Sequence, residues 1–310
     1  MVQPSVGGSP GPEEGGGNPQ MASFLARVLG LGPKGLGKYE LEHVIARGGM
    51  SAVWKAHSKT DGDVVAVKLL NPDSAELVER LAQTFGKGEG QIALSLKHPN
   101  VVVTHEFGKT GNQYFIVMEY VDGPNLMEMI TRHDPRWMPN RIKLIQQIGN
   151  GLSYIHSHGL VHRDFCPKNV LIDPSLQAKI IDFGLSIPKT RRQRWRWDRS
   201  GTPSYMAPEQ VRGQEVDVRT DIYAFGISMF EILTGRKPFR PGRTRYGKMQ
   251  PHLNVMPAAP SQHDAKIPSE LDEIVIKACE KRREQRYQTV DALLRDLQTV
   301  VEKLPRGELR

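Results

Sequence analysis

Two cysteines, Cys166 and Cys279, are all the thiol chemistry this chain of 310 residues has. That number excludes a disulfide framework and suits a reducing compartment, so the expected location is cytoplasmic. No apolar run approaches the roughly 20 residues that a membrane helix needs, and no membrane span is expected. The start, Met1-Val2-Gln3-Pro4, has neither a basic opening nor a continuous apolar stretch, which argues against a secretory leader. Acids are also short: 34 Asp and Glu face 42 Lys and Arg, for a net charge of +8. Taken alone, such an excess points to nucleic acid or an acidic surface as partner. Much of it is local, however, between residues 189 and 199. That favours a protein that handles phosphates and carries one basic segment, and disfavours a nucleic-acid partner. A hydrophobic content of 38% fits a soluble globular chain.

Residues 1–37 are rich in Gly, Pro and Ser, including Gly15-Gly16-Gly17. Such composition buries too little apolar surface to offset ordering entropy, so a disordered arm is expected there. Inside it Phe24, Leu25, Val28 and Leu29 have helical spacing, the pattern of a short docking helix. From Tyr39 the pattern becomes strand-like, at Tyr39 to Ala46, Ala52 to His57 and Val64 to Leu70. A helix is predicted from Ser74 to Leu96, then strands near Val101 to Gly108 and Tyr114 to Tyr120. After Gly123-Pro124 the signal is mainly helical to about Val301. The expected class is α+β, with a sheet-rich small lobe over 38–121, a helix-rich large lobe over 122–302 and a tail over 303–310.

The stretch Val161-His162-Arg163-Asp164-Phe165-Cys166-Pro167-Lys168-Asn169 concentrates the chemistry. Thirteen residues after Asn169 comes Asp182-Phe183-Gly184. A carboxylate that can accept a proton, an amide oxygen and a second carboxylate thus stand at fixed spacing, and oxygen ligands suit a hard cation. Upstream, Ala46-x-Gly48-x-x-Ser51-x-Val53 offers small residues between two strands, where backbone N–H groups can approach phosphate oxygens. Val65-Ala66-Val67-Lys68 is a buried-strand pattern ending in a charge, and an inward lysine needs an anionic partner. Downstream lie Gly201-Thr202-Pro203-Ser204-Tyr205-Met206-Ala207-Pro208-Glu209 and Asp221-Ile222-Tyr223-Ala224-Phe225-Gly226.

Together these motifs resemble a eukaryotic-like Ser/Thr protein kinase of the bacterial type, over roughly Tyr39 to Val301. The resemblance implies the bilobal protein-kinase fold, with a five-stranded antiparallel sheet and one helix in the small lobe. It implies ATP with Mg²⁺, or Mn²⁺ in its place, and γ-phosphoryl transfer to Ser or Thr of protein substrates, with autophosphorylation and a signalling role. Asp164 would accept or orient the hydroxyl proton, and Asn169 and Asp182 would bind the metal. Lys68 would contact the α- and β-phosphates and pair with Glu89, the glutamate at the family distance from His98-Pro99-Asn100. Ala46, Gly48, Ser51 and Val53 would cover the nucleotide. Val53, Ala66 and Leu171 would sandwich the purine, with Met118 as gatekeeper, backbone groups of Glu119 and Val121 at the adenine edge, and Asn125 near the ribose. Arg163 would receive a phosphate from the activation segment, on Thr190 or Ser200. Thr202 and Glu209 belong to the substrate-docking segment, Arg286 would pair with Glu209, and Asp221 would anchor the catalytic-loop backbone.

The chain departs from that pattern at identifiable points. Only the middle glycine of the nucleotide loop, Gly48, survives. Cys166 stands where the family carries a lysine, and Lys168 stands where an acid is common. Lys168, two residues on, is the expected stand-in cation for Cys166. Lys189, Arg191, Arg192, Arg194, Arg196 and Arg199 crowd the activation segment, which makes an acidic partner an expectation there. A nucleotide-binding scaffold without catalysis is the alternative that Cys166, Ala46 and Ser51 support. A small-molecule phosphotransferase is the third, and the docking segment speaks against it.

Overall fold

The computed structural model describes residues 36–48, 51–70, 94–110, 113–182, 187–188, 201–240 and 242–303. Five strands open the fold: β1 (Tyr39–Arg47), β2 (Ser51–Ser58), β3 (Val64–Leu70), β4 (Thr104–Thr110) and β5 (Gln113–Glu119). They form one antiparallel sheet in the order β1-β2-β3-β5-β4. Side chains alternate across a pleat, so the register decides which residues share a face. Trp54, Ala56, Val65, Val67, Leu69, Phe115 and Val117 go to one face and close a small core with Leu36 and Tyr39. Ala46 lies opposite Val53, Val53 opposite Lys68, and Ala66 opposite Met118. Those residues therefore line the other face, turned toward the rest of the molecule.

Only β3 keeps both expected ends; β1, β2, β4 and β5 shift by one to three residues. β4 begins at Thr104 rather than near Val101. The Val102 N–H donates to the Ile180 carbonyl (2.9 Å) and Val101 bridges Ile180, so this stretch is spent joining the large lobe. β5 ends at Glu119, one residue before the expected Tyr120. Of the predicted helix from Ser74 to Leu96, only Leu94 and Ser95 are helical among the described residues. The N-terminal arm up to residue 35 lies outside them.

The large lobe contains helices α1 (Leu126–Thr131), α2 (Trp137–Ser157), α3 (Pro208–Val211), α4 (Val218–Thr234), α5 (Arg245–Asn254), α6 (Ser269–Ala278) and α7 (Val290–Lys303). Helix α7 runs two residues past the expected end at Val301. Short strands interrupt the helical region: β6 (Leu160–Val161) pairs with β9 (Ile187–Pro188), and β7 (Val170–Ile172) pairs with β8 (Ala178–Ile180). Runs this short carry no readable period. The Asp173 carboxylate closes the β7–β8 turn, accepting from the N–H groups of Ser175 and Gln177, both at 2.8 Å.

Helix α4 is the centre of the lobe. Every residue from Thr220 to Leu233 is buried, the mark of a helix surrounded on all sides. Asp217 caps its start, accepting from the Arg219 N–H, and Gly235 ends it in the left-handed conformation at φ 70°. At Gly226 a methyl group would stand 2.8 Å from Ala278 Cβ and 2.9 Å from Cys279 Sγ, so glycine permits α4 and α6 to touch.

Glu209 and Arg286 form a buried bidentate pair at 2.8 Å on both arms. Burying two charges is tolerable only when the remaining polar atoms are satisfied. Here Thr220 Oγ1 donates to Glu209 Oε1 (2.9 Å), and Arg286 also donates to the carbonyls of Glu280 (2.6 Å) and Arg219 (2.9 Å). The pair joins α3, α4 and the loop before α7. Arg286→Ala strands the Glu209 charge and should cost about 3–5 kcal/mol. Calorimetric unfolding of that variant checks it; an unchanged Tm contradicts the role.

Candidate active site

The loop after β6 carries the residues that matter. Asp221, fully buried on α4, accepts from three donors. They are the N–H of His162 (2.7 Å) and His156 Nε2 (2.8 Å) on one oxygen, and the N–H of Arg163 (2.8 Å) on the other. Burial raises the Asp221 carboxyl, but the His156 hydrogen bond and charge outweigh it and hold the group below its usual range. Arg163 sits at φ 71°, a conformation a non-glycine side chain rarely adopts. Both its peptide groups are held: Asp221 takes the N–H, and Gln210 Nε2 donates to the carbonyl at 2.8 Å. The strain is therefore imposed by neighbours on α4 and α3, and its result is the direction in which Asp164 leaves the loop.

Asp164 meets the docking segment directly. Its Oδ1 accepts from the Thr202 N–H at 2.7 Å, and its carbonyl accepts from Asn169 Nδ2 at 2.8 Å. Burial and the nearby Asp182 charge raise the Asp164 carboxyl above its ordinary value, against the Thr202 N–H, which lowers it. A raised carboxylate is a better proton acceptor. The Ile181 N–H donates to the Asn169 carbonyl (2.9 Å), which brings Asn169 and Asp182 to one place. Asp182 also has a positive φ, 71°. Its Oδ1 accepts from Lys68 Nζ at 2.6 Å, so a lysine from β3 and a carboxylate after β8 meet across 114 residues of sequence.

The expected nucleotide-binding residues gather on the same side. Ala46, Val53, Ala66, Lys68 and Met118 share the inward face of the sheet by register. The Gly48 N–H donates to the Ser51 carbonyl at 2.8 Å and closes the turn at the sheet edge. Val121 is buried, and Leu171 bridges Asn125. Asn125 Oδ1 caps α1 by accepting from the Glu128 N–H at 3.0 Å. Glu119 gives its N–H to the Val103 carbonyl (2.9 Å), and its carboxylate accepts from Lys179 Nζ at 2.8 and 3.1 Å. Glu89, Thr190 and Ser200 lie outside the described residues, as does the basic run from Lys189 to Arg199.

Cys166 is fully buried in the large-lobe core, with Sγ 3.6 Å from Thr202 Oγ1. Burial pushes its thiol up to about 12. It thus packs as a small apolar group that touches the docking segment. Lys168, on the 3₁₀ turn Pro167–Asn169, is exposed. Sequence reasoning did not find His156, Gln210 or Lys179. Each acts through a contact remote in sequence, and none sits in a pattern of its own.

A donor set of one amide oxygen and one carboxylate, Asn169 and Asp182, fits a magnesium ion that keeps water and phosphate oxygens as its other ligands. Asn169 Nδ2 is already committed to the Asp164 carbonyl, which leaves its oxygen as the free end of the amide. A lysine held on Asp182 and a raised carboxylate at Asp164 in contact with Thr202 form an arrangement suited to phosphoryl transfer.

Comparison with known proteins assigns the family. Residues 39–297 match the protein kinase domain model, and the chain belongs to that family. It is 37% identical over 283 residues to a probable serine/threonine-protein kinase of Streptomyces coelicolor, covering 87% of this chain and 41% of that protein. It is 33% identical over 273 residues to the serine/threonine-protein kinase PrkC of Bacillus subtilis (87% and 41%). It is 34% identical over 273 residues to PknB of Mycolicibacterium smegmatis (84% and 42%). The chain thus spans about two-fifths of the length of these relatives. Among the described residues no helix is long and apolar enough to cross a membrane.

Both cysteines are buried, and burial pushes each thiol to about 12. The thiolate is the reactive form. Iodoacetamide at pH 8 should therefore leave the native protein unlabelled and modify both positions in denaturant, as counted by intact mass. Rapid labelling of Cys166 in the native state contradicts its burial.

Proposed function

We propose that this chain transfers the γ-phosphoryl group of Mg-ATP to Ser or Thr hydroxyls of proteins, and that it also phosphorylates itself. The observation that carries this is Asp164. It is a raised carboxylate, fixed by the loop that Asp221 anchors, in hydrogen-bond contact with the docking segment at Thr202. The family membership and the names of the relatives support the same reading.

In this reading Asp164 orients the acceptor hydroxyl and takes its proton as the oxygen attacks. Lys68 leaves Asp182 to hold the α- and β-phosphates, and Glu89 takes over as its partner. Asn169 and Asp182 would hold the magnesium, which would supply positive charge against the transferred group. Ala46, Gly48 and Ser51 cover the phosphates. Val53, Ala66 and Leu171 sandwich the base, with Met118 as gatekeeper, backbone groups of Glu119 and Val121 at the adenine edge and Asn125 toward the ribose. Arg163 reads a phosphate on Thr190 or Ser200, whose charge orders the basic segment. The working compartment is the cytoplasm, and the role is in signalling.

Acceptors with acidic flanks fit the charge. From Arg236 to Met256 the chain has Arg236, Lys237, Arg240, Arg243, Arg245 and Lys248 and no acid. Arg245 donates to the Gly201 carbonyl at 3.4 Å, which places this basic stretch beside the docking segment. Lys168 adds a cation near the catalytic loop.

Asp164→Asn should abolish transfer from labelled ATP to casein while ATP affinity stays near wild type, since Asp164 acts on the hydroxyl. Transfer at the wild-type rate by that variant would falsify the assignment. Loss of a preorganised donor typically costs about 10²- to 10³-fold in rate. Cys166→Lys should accordingly raise kcat with little change in the KM for ATP. If Lys168 stands in for the missing lysine, Lys168→Ala lowers kcat more in the native background than in Cys166→Lys. Equal losses in the two backgrounds rule Lys168 out.

A further inference from the structure

Gln210 makes two hydrogen bonds whose combination the reaction as described does not use. It is the third residue of α3, and it is buried. The Ala207 N–H donates to its Oε1 at 3.0 Å, and its Nε2 donates to the Arg163 carbonyl at 2.8 Å. A backbone N–H only donates and a carbonyl only accepts, so these two partners fix which end of the amide is oxygen. The first bond alone is an ordinary cap, in which the side chain at the third helical position reaches back to the N–H ahead of the helix. The second bond leaves the helix and crosses 47 residues of sequence to the catalytic loop. A capping side chain has no need of it.

The two bonds join the docking segment to the base. The Thr202 N–H, near the start of that segment, is bound to Asp164 Oδ1 at 2.7 Å. Ala207, near its end, is bound through Gln210 to Arg163, the residue directly before Asp164. The stretch from Thr202 to Ala207 is thus fastened at both ends to consecutive residues of the catalytic loop. Between the ends it is braced. The Tyr205 N–H donates to the Thr202 carbonyl at 3.0 Å, the Tyr205 hydroxyl donates to Glu231 Oε2 at 2.5 Å, and Met206 packs with Val211 and Met249. Arg163 stands at φ 71°, so the direction of its carbonyl is one the residue would not adopt unaided. That carbonyl belongs to the peptide that leads into Asp164. Its hydrogen bond to Gln210 therefore helps to set where the Asp164 side chain starts.

We propose that Gln210 is a positioning residue for phosphoryl transfer: one amide ties the far end of the docking segment to the peptide that carries Asp164, so that the acceptor's seat and the base move as one body. This rests on the phosphoryl-transfer reading given above. Neither bond involves a residue assigned to the nucleotide, so ATP binding serves as the internal control.

The test uses the full chain with casein as acceptor, and hydrogen exchange as a readout independent of activity. Gln210→Met keeps the length and bulk of the side chain and removes both bonds. Gln210→Asn keeps the amide but is one methylene short, so it reaches one partner and not both. Removing one partner of a buried hydrogen bond typically shifts an equilibrium about tenfold. In Gln210→Met, kcat for casein should fall about tenfold with the Kd for ATP near wild type. Gln210→Asn should change kcat in the same direction by less. The Ala207 amide should exchange faster in Gln210→Met, and so should the Thr202 amide at the opposite end of the segment, while α2 stays as protected as in wild type. A residue that only caps α3 would release Ala207 and leave Thr202 and kcat unchanged, and that result overturns the proposal. Wild-type kcat in both variants, or a Kd for ATP that worsens as much as kcat, overturns it as well. If Gln210→Met does not fold, Gln210→Asn decides by kcat and by the Thr202 amide. If the wild-type chain transfers no phosphate, the function reading fails, and the Thr202 amide still decides whether Gln210 couples the two ends.

Discussion

One buried carboxylate organises the catalytic half of this molecule. Asp221 receives three hydrogen bonds, two of them from consecutive backbone N–H groups of the catalytic loop. A carboxylate with no solvent is costly unless its oxygens are saturated, and these are. In return, the loop gains a rigid tie to α4, the best-buried helix of the large lobe. Arg163 can then stand at φ 71°, a strain of about 1–3 kcal/mol that persists only because its surroundings over-determine it. Asp164 follows at once, aimed at Thr202 rather than back into the core.

The two lobes solve different problems. The small lobe uses strand parity: one face of the sheet makes its own core, and the other presents Ala46, Val53, Ala66, Lys68 and Met118. The large lobe uses buried polar pairs, Asp221 with the loop and Glu209 with Arg286, to fix irregular backbone on a helical frame. Lys68 on Asp182 joins the two, as does Lys179 on Glu119. The lobes thus meet along a line of charges. Cys166 shows how far such a site departs from its family. Where the resemblance implies a lysine, the chain has a buried thiol in contact with Thr202.

Much of this was legible in the sequence because the motifs are local. Asp164, Asn169 and Asp182 fall within one loop and one hairpin, and Val65 to Lys68 declares its strand by alternation. Glu209 and Arg286 were paired through the family resemblance, although 77 residues separate them. What escaped was of two kinds. Short strands such as Val170–Ile172 and Ala178–Ile180 have too few residues for a period, and their pairing depends on the Asp173 turn between them. The second kind is single side chains with remote partners. Gln210 holds the Arg163 carbonyl, His156 reaches Asp221, and His252 reaches Tyr223, across 47, 65 and 29 residues. A polar residue in a helix gives no local sign of which backbone it will meet.

The account stands or falls on Asp221. Asp221→Asn preserves shape but replaces one oxygen acceptor with an N–H₂ group that faces a backbone donor, the N–H of Arg163 or that of His162. A misplacement of about 1 Å at a reacting group costs on the order of 10²-fold in rate. The direct measurement compares kcat for protein phosphorylation and the Kd for ATP in the wild type and in Asp221→Asn. The account predicts a fall in kcat of at least about 10²-fold with ATP binding within a few-fold of wild type. A variant that transfers phosphate at the wild-type rate contradicts it.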